Sequence, residues 1–446
     1  MVRAPGFRAE TPADGRAGFR FCRAATKILL KPCGMADRGA RWAKRFIESV
    51  PMDKKLDRSL IILLAGVSAL GPVAMQIFVP SLPWIQKAFQ VSTAEAQLTL
   101  SLSMISIAVS TLAYGPLSDR YGRRPVLLVG FGIFLAGTLM CVFAPTIWTL
   151  IAGRVVQAAG GAAGLVLARA IIRDMCSAVD AARIIATVFM VMVCAPMVSP
   201  AIGGILQDLF GWRATFVFSG LLAVVLSVMI KRRLQETNRH PVMFTGVWQM
   251  IRAFGILFRS PAFNGYAFNT AFSSVIFFTF VSSAPYVMAN VMARPATEYG
   301  FYFMMISGGF MTGNFVTTRL STRLGINRMI LVGTLVSVSG LLVAYGFIVT
   351  GCLTPFRLFA SVGVAIVGNG MSAPNAQAAA INAFPNLAGS ASGLTGFLQM
   401  FFSALSSELV ALFYDGTAYP MIYLMMAGSV LSMLCFAAGV HWSRKR

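Results

Sequence analysis

The sequence predicts an all-α membrane protein with twelve transmembrane helices in two pseudo-symmetric six-helix bundles. Three observations carry this. The chain of 446 residues is 57% hydrophobic and only 12% charged, with a mean hydropathy of +0.74. A soluble domain of this size could not solvate its surface with so few charges, so lipid is the solvent for much of it. Twelve separate apolar runs can be read off the chain. The second half also repeats features of the first at a nearly fixed offset.

The runs span residues 59–79, 95–117, 125–143, 147–169, 184–206, 213–230, 263–286, 299–320, 328–350, 355–377, 390–413 and 419–440. Each is close to the ~20 residues that carry a helix across the hydrocarbon. The second run has a start signal in Ser92-Thr93-Ala94-Glu95. This matches a capping box and makes Glu95 a cap rather than a coupling acid. Five parts follow: 1–57 as a disordered basic extension, 58–231 as the first bundle, 232–262 as a polar linker, 263–441 as the second bundle and 442–446 as a basic tail.

At an offset of 203, Arg120, Gly122 and Gly130 match Arg323, Gly325 and Gly333, and Arg154 and Gly160 match Arg357 and Gly363. One residue out of phase, Phe78-Val79 and Pro83 match Phe280-Val281 and Pro285. Each pair falls at the same place within its half, which is what parallel six-helix repeats require.

The net charge of +22 does not point to nucleic acid. Of the 37 Lys and Arg, 32 lie before the first run, in the even-numbered gaps or in the tail. They are not interleaved with aromatics as a nucleic-acid face would be. The positive-inside rule then puts both termini in the cytoplasm, as an even number of spans also requires. Residues 1–50 are rich in Arg, Gly, Ala and Pro, without apolar periodicity, and read as disordered. An Arg-rich start resembles a transit peptide, and a start of translation at Met52, where MDKKLDRSL leads into the first run, is the other reading. A chain beginning at Met52 is expected to insert and transport normally; loss of insertion or activity would make the extension a functional element.

Seven cysteines include no CxxC pair, and His240 and His441 are too distant to complete a metal site. No disulfide framework, metal or cofactor is expected. No GxxxxGKS or GxxxxGKT sequence occurs, which argues against an ATP-driven pump.

Residues Gly115 to Leu127, GPLSDRYGRRPVL, sit between the second and third runs. Gly115 and Gly122 suit close backbone approach and a sharp turn. Arg120, Arg123 and Arg124 suit anchoring of helix ends, and Asp119 is the acid among them. The stretch is similar to the signature loop of the major facilitator superfamily of secondary transporters. The resemblance implies the major facilitator fold, a transporter rather than an enzyme, and a substrate site between the halves. It also implies that Asp119 meets the start of the eleventh helix, near Gly389-Ser390-Ala391-Ser392-Gly393, when the cytoplasmic side is closed. A carboxylate there answers the helix dipole for roughly 0.3–2 kcal/mol. The second-half copy has Thr322 instead of the acid, so one such latch is expected.

Arg154 opens RVVQAAGGAAG inside the fourth run. A buried arginine costs at least ~2.5–3.5 kcal/mol and wants a polar cavity with a partner, unless it snorkels to the surface. The superfamily carries an Arg here, which implies a role in proton transfer. Ala195 to Gly204, APMVSPAIGG, resembles the antiporter signature GxxxGPxxGG: Ser199 and Ala195 replace glycines, while Pro200, Gly203 and Gly204 remain. Small residues with a proline kink the helix and let it pack tightly. Glu408 is the carboxylate that lies well inside an apolar run. It is the candidate proton carrier, or else a wall acid hydrogen-bonded to Ser403, Ser406 or Ser407.

Within the superfamily, VPSLPWIQKAF, AQLTLSLSM, LARAIIRDM and SAPNAQAAAINAFPNLAGSASGLTGFLQM resemble the bicyclomycin-resistance (Bcr/CflA) branch of drug:proton antiporters. That branch commonly has an acid near the first-helix proline, where this chain has Gln76-Ile77-Phe78-Val79-Pro80. The resemblance implies efflux of small drug-like compounds in exchange for protons across the cytoplasmic (inner) membrane. The partners are then substrate, protons and the lipid bilayer, with the protein a monomer. Gln76, Asn269, Tyr286, Asn369, Asn375 and Gln399 are the candidate polar lining of the cavity. A proton-coupled importer or metabolite exporter on the same fold is the alternative. A membrane scaffold or sensor without transport would leave the signature loop and the antiporter-like run unexplained together.

Overall fold

Proline placement breaks the first span. In the computed structural model, α1 (Arg58–Ile77) gives way at Val79–Ser81 to a 3-10 turn, and α2 (Leu82–Phe89) resumes the direction. Pro80 and Pro83 lack the N–H groups a continuous helix would need. The span becomes 31 residues long, Ser59–Phe89. Gln90 closes α2 in the left-handed region at φ +53°.

The structure describes residues 58–176, 178–238 and 247–443, all of them helix or short connection. The residues from Ser59 onward form one compact unit. The expected basic extension, 1–57, and most of the tail lie outside the described residues.

The remaining helices are α3 (Thr93–Tyr121), α4 (Arg123–Val142), α5 (Ile147–Met175), α6 (Ala178–Phe210), α7 (Arg213–Arg233), α8 (Val247–Phe258), α9 (Pro261–Tyr286), α10 (Ala296–Leu324), α11 (Ile326–Val349), α12 (Pro355–Asn382), α13 (Ala388–Leu412) and α14 (Tyr419–Ser443). Among the described residues, eleven spans are long and apolar enough to cross a membrane. α10 corresponds to the eighth apolar run and is 29 residues long, but the Gly, Ser, Thr, Asn and Tyr residues of the charge-free stretch between Glu298 and Arg319 lower its mean hydropathy. α8 lies inside the segment read from sequence as a plain polar linker.

Local signals explain several boundaries. The capping box at Ser92 is present: the Glu95 N–H donates to Ser92 Oγ at 3.2 Å, and the Ser92 N–H donates to Glu95 Oε2 at 2.9 Å. Thr146, Ser260 and Thr354 cap α5, α9 and α12 in the same manner.

The two halves repeat in detail. Gly122 joins α3 to α4 at φ +93°, and Gly325 joins α10 to α11 at φ +79°. Only glycine adopts such angles without strain. A Cβ on Gly130 would come within 2.5 Å of Ala163 Cβ, and one on Gly333 within 2.6 Å of the Gly368 carbonyl. The α4–α5 and α11–α12 seams are therefore the same close helix contact in each half.

Gly115 does not lie in the turn that the sequence predicts around it. It sits inside α3, where a Cβ would meet nothing within 4 Å. The loop expected around it is one residue, Gly122. Helix continues through Pro116 to Tyr121 because a proline displaces a single ladder bond, which a long packed helix tolerates.

The halves meet unevenly. Among the described residues, every hydrogen bond between α1–α7 and α9–α14 lies toward the end opposite Gly122. These are Gln97 to Ser407, Ser101 to Glu408, and Thr297 to Asp208. Toward the Gly122 end, α3 meets α13 through apolar contact, with Leu112 against Gly393.

Candidate functional site

The signature turn is a knot of charge around one helix start. Arg123 pairs with Asp119 through Nη1 and with Asp174 on α5 through Nε at 2.9 Å. Its Nη1 also donates to Ser118 Oγ at 2.6 Å. Arg124 Nη2 donates to the Lys231 carbonyl at 2.9 Å, at the end of α7. Arg120 lies over the ring of Tyr121 at 5.1 Å. The Asp119 carboxylate is thus held by its own turn in this conformation and makes no hydrogen bond to the start of α13.

One partner was not visible in the sequence. Glu236, just beyond α7, seats its carboxylate on the N-terminus of α4. Oε1 accepts from the Arg123 N–H at 2.9 Å and Oε2 from the Arg124 N–H at 3.0 Å, while Thr237 and Asn238 N–H groups also donate to Oε1. Burial opposes the charge, but these four backbone donors outweigh it and hold Glu236 below the usual carboxylate range. Asn238 Nδ2 donates to the Asp119 carbonyl at 2.8 Å. The chain leaving the first half is therefore tied to the signature turn.

Arg154 is fully buried, at 2% exposure. It does not snorkel, and its partners are not acids. Nη1 donates to Gln157 Oε1 at 2.6 Å and to the Ala74 carbonyl at 3.3 Å. The guanidinium lies 3.9 Å from the ring centre of Phe78 and 5.8 Å from that of Phe216. Nε has no partner. A crevice of about 10 Å³, room for one water, lies beside it between Gly71, Met75, Ser103 and Phe134.

Glu408 on α13 accepts a hydrogen bond from Ser101 Oγ of α3 at 3.0 Å. One residue earlier, Ser407 Oγ accepts from Gln97 Nε2 at 2.6 Å. The serines expected from sequence to hold Glu408 behave differently: Ser403 and Ser406 bond back to carbonyls of their own helix. The partner is instead in the opposite half. No sequence pattern points to Ser101, because its relation to Glu408 exists only after the halves meet.

The antiporter-like residues all lie in tight seams. Ser199 Oγ bonds the Ala195 carbonyl at 2.8 Å, and the Pro200 carbonyl faces Gly300 of α10. A Cβ on Gly203 would run into the Ile77 carbonyl of α1, and one on Gly204 into the Ala296 carbonyl of α10. Next to them, Asp208 Oδ2 accepts from the Thr297 N–H at 2.8 Å and from Thr297 Oγ1 at 2.6 Å. An acid from the first half thus answers the N-terminus of a helix in the second.

The six lining candidates divide. Asn269 donates to Ser432 on α14, Asn369 to the Ser273 carbonyl on α9, and Asn375 to the Met371 carbonyl of its own helix. Those amides are engaged in helix packing. Gln76 Oε1 and Tyr286 Oη are buried without a partner, and Gln399 is half-buried on α13.

The family profile of the Major Facilitator Superfamily matches residues 64–407. The chain belongs to the Major Facilitator Superfamily. It is 29% identical over 393 residues to a bicyclomycin resistance protein homolog of Haemophilus influenzae, covering 86% of this chain and 97% of that protein. It is 26% identical to multidrug resistance protein D of Escherichia coli, with 86% and 96% covered. Among solved superfamily folds, a bacterial homologue of the lysosomal transporter Spinster superposes with a TM-score of 0.70 at 17% identity, over 88% of this chain and 98% of that one. A D-xylose–proton symporter superposes with a TM-score of 0.68 at 13% identity, over 84% and 96%. The protein is therefore a multi-pass membrane transporter of superfamily architecture.

Proposed function

We propose that this chain exports small, largely apolar drug-like compounds across the inner membrane in exchange for protons, by alternating access. The relatives named for bicyclomycin, multidrug and chloramphenicol resistance support the substrate class. The observation that carries the coupling is the Ser101–Glu408 bond. An intramembrane carboxylate there holds the two halves together, so loading it with a proton changes the contact that seals one end. Arg154 and Asp119 are the next candidates for coupling. The positive-inside distribution supports cytoplasmic termini, and the protein works as a monomer. An importer or metabolite exporter on the same fold would show a defined set of charged or hydrogen-bonding ligands, which the sparse acids argue against.

With that sidedness, the sealed end is the outer one and Asp119 is at the inner end, unlatched. Asp119→Asn keeps shape and removes charge, so the inner-closed state loses on the order of 1 kcal/mol, about fivefold in a two-state ratio. Cysteine labelling at the inner ends of α3 and α13 rises in this variant, and Thr322→Ala does much less. Equal labelling with normal efflux would leave Asp119 as a neutraliser of its neighbouring arginines.

Asp208 acts in the opposite sense. Its bonds to Thr297 exist only while the outer end is closed, so Asp208→Asn weakens that closure by about 1 kcal/mol. Labelling at the outer ends of α6 and α10 rises several-fold. Unchanged labelling would make the contact incidental.

The function itself is tested by drug susceptibility of cells expressing the protein, with and without a protonophore. Resistance that the protonophore abolishes is expected. Resistance indifferent to it would remove proton exchange from the account.

A further inference from the structure

The arginines at the Gly122 and Gly325 end are answered differently in the two halves. In the first half, Arg123 pairs with Asp119 and Asp174, and the Glu236 carboxylate takes the Arg123 and Arg124 N–H groups. In the second half, Arg252, Arg259, Arg319, Arg323 and Arg328 all stand exposed at this end. From Thr237 onward the sequence holds three carboxylates, Glu298, Glu408 and Asp415. All three lie toward the opposite end, Glu298 in the first turn of α10 and the other two late in α13 or just beyond it. Among the described residues, the five arginines therefore have no acid to pair with. Thr322 stands where the first half has Asp119.

α8 belongs to this basic rim, and its two faces differ. Leu257 and Phe254 join the apolar cluster that holds Phe263 and Tyr266 of α9 and Leu394 of α13. Ala253, one turn before Leu257, is buried as well. On the other side Arg252, Ile256 and Arg259 follow at i, i+4 and i+7, and all three are exposed, as is Phe258. Nearby in the same half, Arg319 lies over the exposed ring of Phe315 at 5.3 Å. Exposed apolar groups set between arginines fit neither water nor hydrocarbon alone. They fit the boundary, where acyl chains cover Ile256 and Phe258 while phosphates meet the guanidinium groups. A free phosphate would answer the cations and leave the apolar groups in water. A zwitterionic headgroup would bring its own cation to a surface that holds no acid.

We propose that α8 and the basic rim of the second half bind anionic phospholipid headgroups, with Arg252 and Arg259 as the phosphate contacts on α8. The lipid phosphate supplies the countercharge that Asp119, Asp174 and Glu236 supply in the first half. This surface is independent of what the protein transports.

The test uses the full chain, purified and reconstituted in phosphatidylethanolamine–phosphatidylcholine vesicles. Spin-labelled phosphatidylglycerol and spin-labelled phosphatidylcholine are the probes, and the motionally restricted fraction of each gives their relative association with the protein. The expected preference for phosphatidylglycerol is at least about fivefold. Arg252→Gln/Arg259→Gln lowers it at least about threefold, Arg252→Lys/Arg259→Lys keeps most of it, and Arg294→Gln at the opposite end leaves it unchanged. Equal association of the two probes with the unmodified chain overturns the proposal. So does a preference that survives Arg252→Gln/Arg259→Gln, or one lost equally in the Lys and Gln variants, which would make the arginines structural. Loss of the preference on adding excess soluble glycerol phosphate would assign the site to free phosphate and also overturn it.

Discussion

Glu408→Gln is expected to abolish drug-driven proton release in vesicles while leaving drug binding intact. The substitution keeps side-chain shape and an oxygen that can accept from Ser101 Oγ, which lies 3.0 Å from the carboxylate. It removes only the ability to take up and give off a proton. The seal between α3 and α13 therefore stays possible, supported by Gln97 on Ser407, but its strength no longer depends on protonation. Transport driven by a pH gradient falls to the level of protein-free vesicles, and binding of the same compound changes less than about threefold, under 1 kcal/mol by the tenfold-per-1.4 kcal/mol conversion. Unchanged pH-dependent transport in this variant would move coupling to Arg154 or Asp119.

Gly203→Ala is expected to destabilise the protein by about 3 kcal/mol, and Gly203→Val to prevent folding. The reason is backbone against backbone: a methyl group at Gly203 would occupy the Ile77 carbonyl. No side-chain rotation relieves that clash. The helices must separate, and the first span ends its regular helix at Ile77 beside the 3-10 turn. Gly204 and Gly300 make similar approaches to α10 and α6, so the separation would spread into the interface between the halves. Gly132→Ala on α4 is the matched control, since nothing lies within 4 Å of its Cβ. Thermal unfolding in detergent reads the difference. A Gly203→Ala melting temperature equal to that of Gly132→Ala would show that the seam is looser than the structure describes.

The span pattern was legible because membrane burial writes itself as continuous apolar length, which needs no knowledge of the fold. The repeat was legible for a different reason. Gly122 and Gly325 both need positive φ, and a backbone demand of that kind restricts a position to one residue type in both halves. α8 was missed because twelve residues flanked by polar chain lack the length that identifies a span. The first apolar run stops at residue 79, whereas the span continues through the turn at Pro80 and Pro83 to Phe89, because a proline interrupts a helix without ending the span.

The site was less legible than the fold. Glu408, Arg154 and Asp119 stand out in sequence because charge is rare in this chain. Their partners do not. Ser101, the partner of Glu408, is an ordinary residue until α3 meets α13, and the separate Asp208–Thr297 contact exists only once α6 meets α10. Glu236 is an acid among linker residues and gains meaning only from the start of α4, over 100 positions earlier. Asn269 and Asn369 illustrate the converse: polar side chains inside a span were counted as lining, and interhelical hydrogen bonds absorbed them.

Proton-coupled export by alternating access is tested most directly in vesicles holding the purified chain, with chloramphenicol on one side and an imposed pH gradient. Chloramphenicol is expected to move against its own gradient only while protons flow the opposite way, and to stop on addition of a protonophore. Accumulation that persists without a pH gradient, or flux in the same direction as the protons, would contradict the account.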